Sequence, residues 1–311
     1  MQASAMPVVS MRGDTRAIAD SLGKSFREFG FAMVSDHGID LDLLTRGSEI
    51  MVEFFALPEQ EKRSHIRPGL AGARGYTPFG AETAKGATAP DLKEFWHVGR
   101  DLPASHRLAA VMPPNVWPDH PQGFRETFSA LFAEFDRLGT ILMRYIALDL
   151  ELDPGWFESA LVEGNSVLRL LHYPPVAGNP GDALRAGAHE DINLITLLPG
   201  TREAGLELLA RNGRWIAVSP PDGVLVVNIG DMLQRLTNHV LPSTTHRVRN
   251  PLEGRKRHSR YAMPFFVHPR GDYLLETLQR CVTHANPDRY PVPITADDYL
   301  QARLFEIGLR A

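Results

Sequence analysis

Residues 188–198 read Ala188-His-Glu-Asp-Ile-Asn-Leu-Ile-Thr-Leu-Leu198, a His-x-Asp pair running straight into a short apolar, branched segment. In extended chain, residues two apart point to the same side of a sheet. His189 and Asp191 would then share one face, with Glu190 turned away. The segment from Ile192 to Leu198 reads as a buried strand. One His-x-Asp pair is about what this composition yields by chance, so it gains meaning only from its surroundings.

Those surroundings are strands. Val167 to Tyr173, Leu206 to Ala210, Trp215 to Val218, Val224 to Ile229 and Arg260 to Val267 are short and rich in branched or aromatic residues. Asn212-Gly213 and Pro220-Pro-Asp-Gly223 divide them as turns. Many short strands with close turns predict a sandwich or barrel.

Upstream the period changes. Ala17 to Phe29 carries Ile18, Leu22, Phe26 and Phe29 at helical spacing, and Leu41 to Phe55 continues in the same way. Phe31 to Val34 between them reads as a short buried strand. Ala71 to Pro90, rich in Gly, Ala, Thr and Pro, reads as a long loop containing Arg74 and Tyr76. Gln122 to Leu152 is the strongest helix, with Phe124, Phe128, Leu131, Phe135, Leu138, Leu142 and Tyr145 four and three residues apart. Phe132, Ile141, Met143 and Ile146 widen that stripe beyond a coiled-coil seam, so packing against a sheet is expected. A last helix is predicted from about Asp297 to Leu309, with Thr295 as N-cap and Asp298 at the capping-box position.

Composition narrows the possible functions. The 311 residues are 43% hydrophobic and 23% charged, with a formal charge of −4. That is ordinary globular composition and argues against bulk attraction to nucleic acid. The single cysteine, Cys281, excludes an internal disulfide framework and a cysteine-rich metal site. Residues 1–14 hold no apolar run of signal-peptide length, and no stretch approaches the roughly 18 apolar residues of a membrane helix. These features predict a cytoplasmic protein with no nucleic-acid or membrane partner, and no protein partner is expected.

Two imidazoles and one carboxylate on one face suit ferrous iron and leave three coordination positions open. A second imidazole must come from a later strand, and His246 stands in Ser243-Thr-Thr-His-Arg-Val248. Arg260 is then the one cation in the apolar Arg260-Tyr-Ala-Met-Pro-Phe-Phe266. A buried Arg is expensive unless paired, either by an internal carboxylate or by a dicarboxylate cosubstrate. There is no His-Glu-x-x-His helix of the zinc-hydrolase kind.

Several motifs in order resemble the isopenicillin N synthase-like branch of the 2-oxoglutarate/Fe(II)-dependent dioxygenases. They are Phe29-Gly-Phe-Ala-Met-Val-Ser-Asp-His-Gly-Ile39, Phe54-Phe55-Ala-Leu-Pro58 with Glu61-Lys62, and Lys93-Glu94-Phe95. Arg169-Leu-Leu-His-Tyr-Pro-Pro175 follows, then Ala188-His-Glu-Asp191 with Leu194-Ile-Thr-Leu-Leu198, Asn228-Ile-Gly-Asp231, Thr237-Asn238 and His246-Arg-Val248. The resemblance spans about residues 7–270. It implies a mainly β protein with flanking helices around a double-stranded β-helix, or jelly-roll, core. One oxygenase domain over 1–311 is expected: a helix-rich part at about 1–160, the jelly roll with the iron site at about 165–270, and the C-terminal helix at about 295–311.

By the same resemblance, His189, Asp191 and His246 would hold Fe(II). Arg260 would grip the far carboxylate of 2-oxoglutarate, and Tyr173 would hydrogen-bond that cosubstrate. The implied reaction couples oxidative decarboxylation of 2-oxoglutarate by dioxygen to hydroxylation, desaturation or ring closure of a small molecule. Two positions depart from the pattern. Ala262 stands where the branch has Ser two residues after the Arg, and Leu171 stands for an Asn. Losing one charge-assisted hydrogen bond costs about 1.5–3 kcal/mol, which a water or another donor would have to restore. Two rival readings are an iron oxidase that needs no 2-oxoglutarate and a non-catalytic jelly-roll binding module. Of the remaining candidates, His239 reads as structural and His172 should face away from Tyr173. Trp96 and His97 are either core or pocket, and Arg255 to His258 reads as a solvated hairpin tip.

Overall fold

The structure, a computed structural model, describes residues 6–70, 72–83, 88–176, 178, 180–201 and 203–306. Its strands are β1 (Val8–Ser10), β2 (Phe31–Ser35), β3 (Gly75–Thr77), β4 (Glu94–Gly99), β5 (Val167–Tyr173), β6 (Ala186–His189), β7 (Ile195–Pro199), β8 (Leu206–Leu209), β9 (Trp215–Ala217), β10 (Leu225–Ile229), β11 (His246–Val248), β12 (Arg260–Ala262) and β13 (Phe265–Val267). The helices that matter here are α1 (Thr15–Phe29), α2 (Leu41–Phe55), α3 (Glu59–Arg63), α4 (Phe124–Asp149), α5 (Glu158–Leu161), α6 (Asp231–Leu236) and α7 (Ala296–Glu306).

A large sheet runs β1-β2-β10-β7-β13-β5-β4-β3, with β12 also paired to β5. A four-stranded sheet, β6-β11-β8-β9, faces it. Alternation in the large sheet separates two sets of side chains. Ile195, Leu197, Val227, Leu168, Leu170, Phe265 and Val267 belong to the main core shared with the helices. Thr196, Asn228, Arg169 and Phe266 have the opposite parity and turn toward the small sheet.

The broad apolar stripe of α4 finds the expected partner. Phe135 stacks on Phe265 with centroids 5.6 Å apart, and Phe132 meets the same ring edge-on at 5.1 Å. The expected single strand from Arg260 to Val267 is two strands. Met263-Pro264 separates them, because Pro lacks the ladder N–H; the Pro264 carbonyl accepts from the Arg169 N–H instead. The expected loop from Ala71 to Pro90 contains β3, and Ala71 and residues 84–87 of it lie outside the described residues. The last helix begins as read: the Asp298 N–H donates to Thr295 Oγ1 at 3.1 Å. Its expected extension to Leu309 falls outside the described residues after Glu306.

Candidate active site

His189 ends β6 and His246 begins β11, and the antiparallel register sets the two directly opposite. Between this pair and Val248↔Ala186 the register shifts, so β6 spends one more residue than β11. That bulge lets both Ala186 and His189 face inward. Asp191 lies two residues beyond the end of β6. Its Oδ1 is 3.8 Å from His189 Nε2 and 3.8 Å from His246 Nε2. One ligand atom from each of the three lies within 4.8 Å of the others. Glu190 turns away, as the alternation argument expects, and takes a hydrogen bond from Thr245 Oγ1.

Every other polar atom of this trio is occupied. His189 Nδ1 donates to the Gly187 carbonyl at 2.7 Å, and His246 Nδ1 donates to the Thr244 carbonyl at 3.1 Å. Each imidazole is thereby fixed with its Nε2 lone pair turned to the centre. Asp191 Oδ2 accepts from Thr196 Oγ1 at 2.6 Å and Asn228 Nδ2 at 2.8 Å. Oδ1 remains to face the imidazoles. Thr196 is held in turn by Asn193 Nδ2 at 2.8 Å, and a Cβ on Gly230 would stand 2.0 Å from Asn193 Oδ1. Only glycine fits there.

Electrostatics agree with this donor set. Burial, helped by repulsion from His246, pushes the His189 pKa down to about 4, so its imidazole is neutral at pH 7. Burial raises the Asp191 pKa, but His246, His189 and the Thr196 and Asn228 hydrogen bonds outweigh it and leave a carboxylate. Two imidazoles and one carboxylate converging on a point fit a divalent metal of the 2-His-1-carboxylate kind. His189 keeps 37% of its side chain exposed, and that side opens onto a cavity of about 500 Å³.

The cavity wall opposite the trio is charged. Lys93 Nζ bonds Asp91 at 2.8 Å and Glu82 at 2.9 Å; Glu82 also pairs with Arg169 at 3.4 Å. Arg169 Nε donates to His97 Nε2 at 2.5 Å, while the Arg169 guanidinium lies 4.4 Å from the Phe95 ring centroid and 5.3 Å from that of Phe266. The Gly187 N–H donates to Asp91 Oδ1 at 2.8 Å, which ties this network to the bulge beneath His189. Leu300, Arg303 and Leu304 of α7 close one side, and Arg303 pairs with Asp231 at 2.9 Å.

Arg260 and Tyr173 come together elsewhere. They face each other across β12 and β5, with the guanidinium 5.1 Å from the Tyr173 ring centroid. Arg260 lines a second cavity of about 260 Å³ with Leu198 and Leu206, rather than the one beside His189. The alternative of an internal carboxylate partner for Arg260 finds none at ion-pair distance among the described residues; its Nε donates to the Glu203 carbonyl at 3.2 Å. His172 is buried among Glu94, Phe55 and Tyr261, on the face away from Tyr173 as expected, and is bonded to Glu94 at 2.7 Å. Trp96 is wholly buried in core, whereas His97 lines the cavity. His239 bonds the Tyr290 hydroxyl at 2.6 Å. Sequence reading gave no role to Thr196, Asn228 or Lys93, although Thr196 and Asn228 are lone polar residues at inward positions of apolar strands.

Residues 6–120 match the family model for the N-terminal region of the non-haem dioxygenase in morphine synthesis, and residues 164–269 match that of the 2OG-Fe(II) oxygenase superfamily. The 2-oxoglutarate-Fe(II) type oxidoreductase hxnY of Emericella nidulans is 33% identical over 284 residues, covering 88% of this chain and 79% of that protein. The chain belongs to the 2-oxoglutarate/Fe(II) oxygenase family, in its isopenicillin N synthase-like clan.

Solved structures agree with that membership. A 2OG-Fe(II) oxygenase family protein from Caulobacter crescentus is 51% identical with a TM-score of 0.90, covering 98% of this chain and 100% of that one. A full-length Neurospora crassa protein solved in complex with alpha-KG is 30% identical with a TM-score of 0.86, covering 96% and 95%. The jelly-roll fold is therefore common to these oxygenases, and this one is a non-haem oxidoreductase whose cofactors are Fe(II), 2-oxoglutarate and dioxygen. Among the described residues of this oxygenase, no helix is long and apolar enough to cross a membrane.

Proposed function

We propose that this oxygenase oxidises a small polar molecule in the cavity beside His189, with iron held by His189, Asp191 and His246. The observation that carries this reading is the convergence of three unused ligand atoms whose partner atoms are all hydrogen-bonded. Ferrous iron, when bound there, supplies dioxygen activation coupled to decarboxylation of 2-oxoglutarate. The chain's own residues do the rest. Gly187 and Thr244 hold the imidazoles in one tautomer, and Thr196 and Asn228 keep Asp191 aimed. Arg260 and Tyr173 bind the distal carboxylate of 2-oxoglutarate at the end of the interior away from the substrate cavity.

The wall formed by Lys93, Glu82, Asp91, Arg169 and His97 presents both signs of charge to the substrate, which suits a polar molecule with donors and acceptors rather than a hydrocarbon. Phe95 and Phe266 flank Arg169 and keep it pointed into the cavity. A reducing cytoplasm suits both a ferrous centre and the lone, buried Cys281.

The test is metal stoichiometry under anaerobic conditions. Wild type should take up one equivalent of Fe(II), and His246→Ala should take up none while keeping its circular dichroism. Equal iron uptake by the two proteins would refute the assignment.

A further inference from the structure

Arg185, the residue just before β6, is fully buried at 0% exposure. Its Nη2 donates to the His258 carbonyl at 2.6 Å, but Nε and Nη1 are buried with no acceptor among the described residues. Beside it lies Arg260, 2% exposed, whose guanidinium is likewise without a carboxylate at ion-pair distance among the described residues. Glu203 is the carboxylate whose charge both arginines feel, and it is bonded to Arg255 instead. Burial lowers the pKa of both guanidiniums, and repulsion from Arg260 lowers that of Arg185 further. Two buried cations side by side, one of them with open donors and neither with a carboxylate partner among the described residues, are costly unless an anion joins them.

The side chains between the metal trio and the two arginines are apolar. Leu171, Ala186, Val248 and Ala262 form an apolar cluster with Phe95 and Tyr173, against which Leu198 packs. Ala186 and Val248 are the strand neighbours of His189 and His246, while Ala262 and Tyr173 adjoin Leu171 and Arg260. A methylene chain suits those apolar neighbours, and a carboxylate suits the arginines, because a guanidinium fork matches two carboxylate oxygens.

We propose that Arg185 is a second donor to the distal carboxylate of 2-oxoglutarate, beside Arg260, replacing the hydroxyl that Ala262 lacks. This assignment rests on the placement of the cosubstrate in the preceding section. It explains how position 262 can be Ala without loss of grip, since a charged donor offers more than the hydroxyl it replaces. It also accounts for the unmet Nε and Nη1 of Arg185, which no group among the described residues satisfies.

The test is an anaerobic titration of the Fe(II)-loaded protein, following the visible absorption of the chelated 2-oxo acid. 2-Oxoglutarate is compared with 2-oxovalerate, which has the same head and length but no distal carboxylate. Wild type should prefer 2-oxoglutarate strongly. Arg185→Met should lower that preference at least tenfold, leave 2-oxovalerate binding unchanged and leave iron stoichiometry at one. If Arg185→Met keeps the wild-type preference while Arg260→Met loses it, Arg185 is only a strut for the His258 carbonyl and the proposal fails. Should Arg185→Met not fold, Arg185→Gln, which removes the charge, decides by the same ratio, with an unchanged ratio again overturning the proposal. A wild type that binds iron but does not distinguish the two acids overturns the cosubstrate placement itself, and the role of Arg185 with it.

Discussion

Asn228 Nδ2 reaches across the gap between the two sheets and donates to Asp191 Oδ2 at 2.8 Å. The carboxylate beside the small sheet is thus aimed by a strand of the large one, and Thr196 does the same from the next strand. Removing such an outer partner typically costs 10- to 100-fold in metal affinity. Asn228→Ala should weaken Fe(II) binding by about that factor with little change in fold. Competition with a colour-forming chelator measures it, and undiminished affinity would show that Asp191 aims itself.

Gly230 supports the same chain from behind. A methyl at this position would sit 2.0 Å from Asn193 Oδ1, and Asn193 holds Thr196. Gly230→Ala should therefore lower iron affinity as Thr196→Val does, and the double variant should lose less than the sum of the two. Strict additivity of the two losses would argue against a shared route.

Arg260 lies at the other end of the interior, without a carboxylate partner of its own among the described residues. Hydrogen bonds to charged groups contribute about 1.5–3 kcal/mol. Arg260→Met should accordingly raise the KM for 2-oxoglutarate by about 10- to 100-fold, with Fe(II) stoichiometry intact. A variant altered only in melting temperature would make Arg260 a structural cation.

The charged wall predicts a pH effect. Burial alone would raise the Glu82 pKa, but Arg169 and Lys93 hold it well below its ordinary value of 4.5. A depressed carboxylate contributes stability above the unfolded value and loses it as pH falls through the folded one. Glu82→Gln should therefore be less stable than wild type at pH 7, and the difference should shrink below about pH 4.5. Urea midpoints at pH 7 and pH 3 check this; a difference that stays constant would remove Glu82 from the acid response.

Packing offers a fold-level check. Phe135 is fully buried and stacked on Phe265, which lies between the helix and β13. Phe135→Ala should cost about 3–5 kcal/mol of folding stability by leaving a cavity. A loss below 1 kcal/mol in urea unfolding would mean that α4 is not the main prop of the sheet.

What could be read from sequence depended on how local the signal was. The stripe of α4 was plain because seven apolar residues recur at helical spacing, and the branched runs of β5, β7 and β10 stood out for the same reason. β6 was not visible as a strand, since Ala186-Gly-Ala188 has neither branched nor aromatic residues, and its bulge comes from pairing with β11. Pro264 in the Arg260 to Val267 run did carry a warning of the break. The parity reading of His189 and Asp191 reached the right faces although Asp191 stands beyond the strand. Asn228 and Thr196 meet Asp191 only through strand order, which no single segment encodes. Arg185 gave no signal at all: its meaning lies in two unmet nitrogens and a neighbouring Arg260.

The metal trio sits on the small sheet and the turn just beyond it, with Asp191 hydrogen-bonded to the large sheet through Thr196 and Asn228, and this has a consequence for the lifetime of the protein. An ion seated at His189, His246 and Asp191 would lock the small-sheet histidines to the carboxylate that Thr196 and Asn228 of the large sheet hold, and so would brace the two layers against each other. A ligand that binds only the closed form withdraws the chain from its open forms by mass action. Iron supply would then set resistance to proteolysis as well as turnover, and molecules that lose their iron would be the first to be cleared.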